Sequence, residues 1–133
     1  DQLHRMLQQS DFVVVCCPLT PQTKGIIGET EFRMMKETAF LINIARGKIV
    51  DQLALITALQ TKEISGAGLD VTEPEPLPEN NPLWEMENVI ITPHHAGQSP
   101  KSASRVFHVL CENLKRFVTN QSLISVVDKT QWF

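Results

Sequence analysis

The chain has 133 residues, room for one domain with a real core, and its 12 Lys plus Arg stand against 15 Asp plus Glu for a formal net charge of -3. Neither sign gathers into a long block, which argues against nucleic acid or an anionic membrane as the main partner. No apolar run approaches the ~18 residues of a membrane span, and the opening DQLHRMLQQSD does not read as a secretory signal, so a soluble, cytoplasmic protein is expected. In chain order, Phe12 to Cys17 (FVVVCC) is short, continuous and β-branched and stops at Pro18, the composition of a strand buried on both faces. Thr20 and Pro21 can cap and start a short helical turn before Gly25 and Gly28, and helical spacing follows from Glu29 to Lys36. A second strand is expected at Ala39 to Ala45. After the Arg46-Gly47 turn, Asp51 is a good N-cap for a helix with a broad apolar face of Leu53, Ile56, Leu59 and their neighbours. The third strand is placed at Ala67 to Val71, entered through Gly66. The proline-rich EPEPLPENNP separates it from a fourth strand at Val89 to Thr92.

This alternation predicts parallel pairing with crossover connections, an open doubly wound α/β sheet with strands apolar on both faces. In such sheets ligands sit beyond the carboxyl ends of the strands. The odd polar features fall there: Pro18 after the first strand, Arg46 after the second, Asp70 closing the third, His94 after the fourth. A fixed cation at that rim suits an anion. Ser99 and Pro100 predict the start of a last helix reaching about Val118, with Ala103, Val106, Phe107, Leu110, Leu114, Phe117 and Val118 on one stripe that must bury itself on something. In the tail, Val126, Val127, Trp132 and Phe133 have no obvious partner. The cysteines, Cys16, Cys17 and Cys111, are odd in number and are expected as buried thiols, not as a disulfide framework or zinc site. The acidic residues have too little ligand order to suggest a metal.

The stretches PLTPQTKGIIG, LINIARGKIVD, GAGLDVTEPEPLPENNPLW and NVIITPHHAG, in this order and at these separations, closely resemble the C-terminal half of the D-isomer-specific 2-hydroxyacid dehydrogenases. Within that family the DVTEPEPLP stretch looks most like the glyoxylate/hydroxypyruvate reductases. The resemblance covers roughly residues 1 to 120. It implies the C-terminal half of a Rossmann-like doubly wound parallel sheet plus a long C-terminal helix. Residues 1–98 would be a partial dinucleotide-binding domain, and 99–133 a helix and tail returning to a substrate domain.

By matching each motif, the resemblance implies that Arg46 binds the substrate carboxylate, through two parallel charge-assisted hydrogen bonds of which a guanidinium is capable. It makes His94 the general acid/base, Glu75 its carboxylate partner, and Asp70 the contact for the nicotinamide carboxamide. Cys17, Pro18, Ala45 and Gly97 join Arg46, Asp70 and His94 along the cofactor cleft. The chemistry asks for these types: reduction of a 2-keto acid needs a hydride, supplied by NAD(P)H, and a proton for the developing alkoxide. A carboxylate beside an imidazole holds the ring and stabilises its charged form. Arg46 can also polarise the carbonyl. Taken alone, Glu75 is one of several acids in a loop with Glu73 and Glu79, and only its offset from Asp70 singles it out. His95 stands where this family often has an apolar residue. His4 and His108 are assigned to helix surfaces.

None of the six glycines, at 25, 28, 47, 66, 68 and 97, completes the G-x-G-x-x-G turn that cradles a pyrophosphate. Gly66-Ala67-Gly68 begins one, but Val71 stands at the third position and the segment enters a strand. Family members are typically well over twice this long, so the expectation is the C-terminal portion of a dehydrogenase. Alone it would not turn over and would associate, as a dimer, through uncovered apolar surface. NADH and NADPH are both open, as is the identity of the small 2-keto acid. Two rival functions are a non-catalytic nucleotide-binding regulator on the same scaffold and a fragment with only an oligomerisation role. The formate dehydrogenase branch resembles a Gln-His pairing, whereas Glu75 occupies the matching position here.

Overall fold

The computed structural model describes residues 2–130; the expectation for Trp132 and Phe133 lies outside them. The chain forms two compact units, Asp1–Ala96 and Gly97–Phe133. In the first, four parallel strands lie in the order of the sequence: β1 (Phe12–Val15), β2 (Phe40–Asn43), β3 (Gly66–Leu69) and β4 (Val89–Ile91). Their register is in step, Val15 beside Asn43, Asn43 beside Leu69, and Leu69 beside Ile91, so all four end at one rim. Helix α1 (Gln2–Gln9) precedes β1, α2 (Glu29–Met34) connects β1 to β2, and α3 (Gln52–Gln60) connects β2 to β3. Asp51 caps α3 as expected, its carboxylate accepting from the Leu53 and Ala54 amides.

The sheet is covered on one face. Strand residues alternate between faces, and Val13, Val15, Leu41, Asn43, Ala67 and Leu69 are buried in the core with Leu7 of α1, Phe32 of α2 and Leu55 and Leu59 of α3. The other face presents Phe12, 64% exposed, Ile90, 71% exposed, and the partly open Val14, Phe40 and Ile44. The expectation of strands buried on both faces is therefore corrected. Right-handed crossovers that step always in the same direction put their helices on the same side, so α2 and α3 cannot cover the second face. On that face the Phe12 and Phe40 rings stack at 5.6 Å.

The strands are shorter than the apolar runs that marked them. Cys16 and Cys17 fall beyond the end of β1 and are exposed, and Cys111 is half-buried, which overturns the expectation of buried thiols. Ala45 and Val71 are buried by packing after their strands have ended. Two short 3-10 turns, Gly47–Ile49 and Pro82–Trp84, occupy segments read as turn and loop.

The second unit is a helix, α4 (Ser102–Val118), whose tail folds back on it. Asn113 closes that return, donating to the Ile124 carbonyl at 3.0 Å and accepting from the Ile124 amide at 2.8 Å. The helix begins at Ser102 and not at Pro100: the Ser102 hydroxyl accepts from the Ser99 amide, and residues 100 and 101 form a turn before it. No residue of α4 is buried, and Val106, Phe107, Leu110, Leu114, Phe117 and Val118 stay exposed, as do Val126 and Val127 in the tail. Among the described residues no helix is long and apolar enough to cross a membrane.

Candidate active site

The in-step ends of the strands decide what the rim contains. Cys17 and Pro18 follow β1, Ala45 and Arg46 follow β2, Asp70 follows β3, and His94 follows β4, all just past the last paired residues. The segment after β2 is shaped by Asn43, 1% exposed. Its side chain accepts from the Ala45 amide at 3.1 Å and donates to the Arg46 carbonyl at 3.0 Å, fixing the turn that presents Arg46. The Arg46 side chain is exposed; its Nη1 donates to the Ala45 carbonyl at 2.7 Å, and it has no carboxylate partner among the described residues. A strand-end arginine with a structural role would be paired with an acid; this one is open to an external anion.

Gly47 brings that turn against the loop after β3. A Cβ at position 47 would stand 2.0 Å from the Thr72 carbonyl oxygen, so only glycine fits. The loop is tied down further by Gln52, which donates to the Glu73 carbonyl at 2.6 Å and accepts from the Glu73 amide at 2.9 Å, and by a Lys48–Glu73 contact of 3.6 Å. Glu75 projects from this loop. Its Oε1 lies 2.7 Å from His94 Nδ1. A carboxylate only accepts, so Nδ1 carries the proton and donates, and Nε2 is left without a hydrogen-bond partner among the described residues. Both side chains remain near half exposed, 47% for His94 and 41% for Glu75.

His94 stands in the left-handed region at φ 55°, uncommon for a residue with a Cβ and most frequent where surrounding bonds impose it. Those bonds come mainly from Asp70, with the Thr92 carbonyl also accepting from the His94 amide at 3.0 Å. The Asp70 carbonyl accepts from the same amide at 3.0 Å, while its carboxylate accepts from the Thr92 hydroxyl, the His95 amide and the Ala96 amide. Burial pushes the Asp70 carboxyl pKa up, but the Thr92 hydroxyl, the Ala96 and His95 amides and the nearby His94 outweigh it and hold the group below its ordinary 3.8. Asp70 is thus an anion fully engaged with the turn.

A cleft of about 360 Å³ runs from the Asp70 end of the rim along the open sheet face, lined by Ile42, Gly68, Asp70, Ile90, Thr92 and His95. Arg46, Glu75 and His94 are not part of its lining. Gly97 opens the second unit; a Cβ built there would meet nothing within 4 Å, and its carbonyl accepts from the Ser102 hydroxyl at 3.2 Å. No group of His, Cys, Asp or Glu able to hold a metal occurs among the described residues. For a dinucleotide, the residues present fit the nicotinamide end, where an unpaired cation and a carboxylate-held imidazole share the rim. The pyrophosphate end has no glycine cradle in this sequence. Sequence reasoning missed Asn43, although its partners lie only two and three residues on, and Thr92, whose bond to Asp70 exists only once β3 and β4 are aligned.

A parallel α/β sheet with its polar groups gathered at the carboxyl rim defines the class of nucleotide-binding Rossmann-like domains. Residues 1–96 match the model of the D-isomer specific 2-hydroxyacid dehydrogenase NAD binding domain, and the chain belongs to that family. It is similar to the glyoxylate reductase of Korarchaeum cryptofilum, 45% identical over 93% of this chain and 40% of that protein. Among solved structures it resembles the NADPH-dependent glyoxylate/hydroxypyruvate reductase of Sinorhizobium meliloti in complex with NADP and sulfate, with a TM-score of 0.89, 32% identity, and coverage of 98% of this chain and 42% of that one. The NAD-complexed D-isomer specific 2-hydroxyacid dehydrogenase of Lactobacillus delbrueckii is similar with a TM-score of 0.86, 36% identity, and coverage of 93% and 42%. The chain therefore spans about two fifths of the length of these relatives.

Proposed function

We propose that the protein containing this chain reduces a small 2-keto acid, glyoxylate or hydroxypyruvate, with NADH or NADPH. The observation that carries the reading is the Glu75–His94 contact of 2.7 Å at the same rim as an arginine without an acidic partner among the described residues. Bound NAD(P)H would supply the hydride, with Cys17, Pro18, Ala45 and Asp70 along its cleft. Arg46 takes the substrate carboxylate, a planar fork matched to a planar anion, and polarises the adjacent carbonyl. His94, held through Nδ1, offers Nε2 to the carbonyl oxygen and delivers the proton that the alkoxide needs. Glu75 keeps the ring in that orientation, and the same pair runs the oxidation in reverse.

The isolated 133-residue chain lacks the pyrophosphate cradle and does not turn over by itself. We place the protein in the cytoplasm, where the exposed Cys16 and Cys17 remain thiols. The exposed apolar residues of the sheet face and of α4 support association as a homodimer. The test is to assay the complete gene product that contains these residues with glyoxylate and hydroxypyruvate and each reduced cofactor. Turnover with either acid, lost in His94→Gln, supports the reading; binding of cofactor without any turnover would favour the non-catalytic regulator instead.

A further inference from the structure

The turn that presents His94 is clamped by one carboxylate. Asp70, 5% exposed, receives the Thr92 hydroxyl at 2.5 Å and the His95 amide at 2.9 Å on Oδ1, and the Ala96 amide at 2.7 Å on Oδ2. The acceptors therefore grip the chain on both sides of His94, while the Asp70 carbonyl takes the His94 amide itself. The two amides take one carboxylate oxygen each, but both follow His94 in the chain, and the carboxylate's terminal torsion is intrinsically broad and soft. The Thr92 hydroxyl on Oδ1 adds a third donor from the opposite end of the turn and stiffens that hold. The threonine is well placed for it because it directly follows β4, whose register against β3 is fixed by pairing.

We propose that Thr92 is a positioning residue, which locks the Asp70 carboxylate so that the turn holds His94 in its left-handed conformation with the imidazole against Glu75. The Thr92 carbonyl accepts from the His94 amide at 3.0 Å, a backbone bond that no side-chain change removes, but its hydroxyl bonds neither His94 nor Glu75; the side chain is exposed, so the hydroxyl acts through Asp70 and not by filling the core. The consequence for turnover rests on the acid/base reading of His94; the geometric statement does not.

Thr92→Val keeps the shape and removes the donor, and Thr92→Ser restores it. In this chain, NMR of Thr92→Val is expected to show His95 and Ala96 amides exchanging about tenfold faster than in the parent, with loss of the hydrogen-bonded Nδ1 proton of His94. Thr92→Ser is expected to keep both signals near the parent. In the complete gene product, Thr92→Val is expected to lower kcat roughly tenfold with KM changed by less than about twofold, and Thr92→Ser to recover it. Parent-like exchange and an intact Nδ1 signal in Thr92→Val, or a serine variant as impaired as the valine one, would overturn the proposal. If His94→Gln keeps full turnover while Thr92→Val still frees the ring, the acid/base reading has failed and the positioning role stands.

Discussion

At Asp70 two opposing effects meet, and hydrogen bonding wins over burial. The carboxyl binds its proton less tightly in the folded chain than its ordinary value of 3.8 implies. Its stabilising contribution is therefore complete above about pH 3.8 and is lost as the pH falls through the lower folded value. Asp70→Asn should cost about 2 kcal/mol near neutrality, because an amide NH2 would face one of the amides that the carboxylate now accepts. Urea unfolding of both forms at neutral and acid pH checks this: the gap between them should narrow in acid, and a constant gap would contradict it. The Glu75–His94 pair is different. Both groups are near half exposed, so Glu75→Gln should change stability by less than about 1 kcal/mol while lowering turnover of the complete gene product. The resemblance of their motifs pointed to Arg46, Glu75 and His94 as candidates, and the structure brings Glu75 within 2.7 Å of His94. Thr92 was not legible, since its bond to Asp70 spans 22 positions and exists only when β3 and β4 lie side by side.

Among the elements, the four strands and the α3 cap were legible, while the ends of the strands and the start of α4, at Ser102 and not Pro100, were not. Asp51 announces α3 through a side chain acting within three residues; Asp51→Ala should cost about 1 kcal/mol in thermal or chemical unfolding. The strands were read too long because apolar character continues past the last hydrogen-bonded pair, where Ala45 and Val71 are buried although outside the ladder. Gly47 shows the same limit. The sequence marks a turn there, but the contact of 2.0 Å that a Cβ would make with the Thr72 carbonyl belongs to two segments brought together by folding. Gly47→Ala should therefore displace the loop bearing Glu75 and destabilise the domain by roughly 2 to 4 kcal/mol, read by chemical unfolding together with loss of the His94 Nδ1 proton signal.

For the whole molecule, the parallel order and the position of the rim followed from alternating strands and helices, while the coverage of the sheet did not. A run such as FVVV is apolar on both faces whether or not both faces are covered, and composition alone cannot say which face receives the helices. The structure leaves Phe12, Val14, Phe40 and Ile90 open on one side. An exposed surface of that kind binds hydrophobic dyes and drives association. The chain should enhance the fluorescence of such a dye and sediment above its 15.0 kDa monomer mass, both effects diminishing in Phe12→Lys/Ile90→Lys. A monodisperse monomer without dye binding would contradict the open face.

The central claim is that Arg46 and His94 at one rim bind a small 2-keto acid and protonate it as it is reduced. It is tested most directly by steady-state kinetics of the complete gene product with glyoxylate and reduced cofactor, comparing the parent with Arg46→Ala. The expected result is a fall in kcat/KM of roughly a hundredfold or more, the loss of a charge-assisted pair to the carboxylate. Unchanged kcat/KM in that variant would contradict the claim.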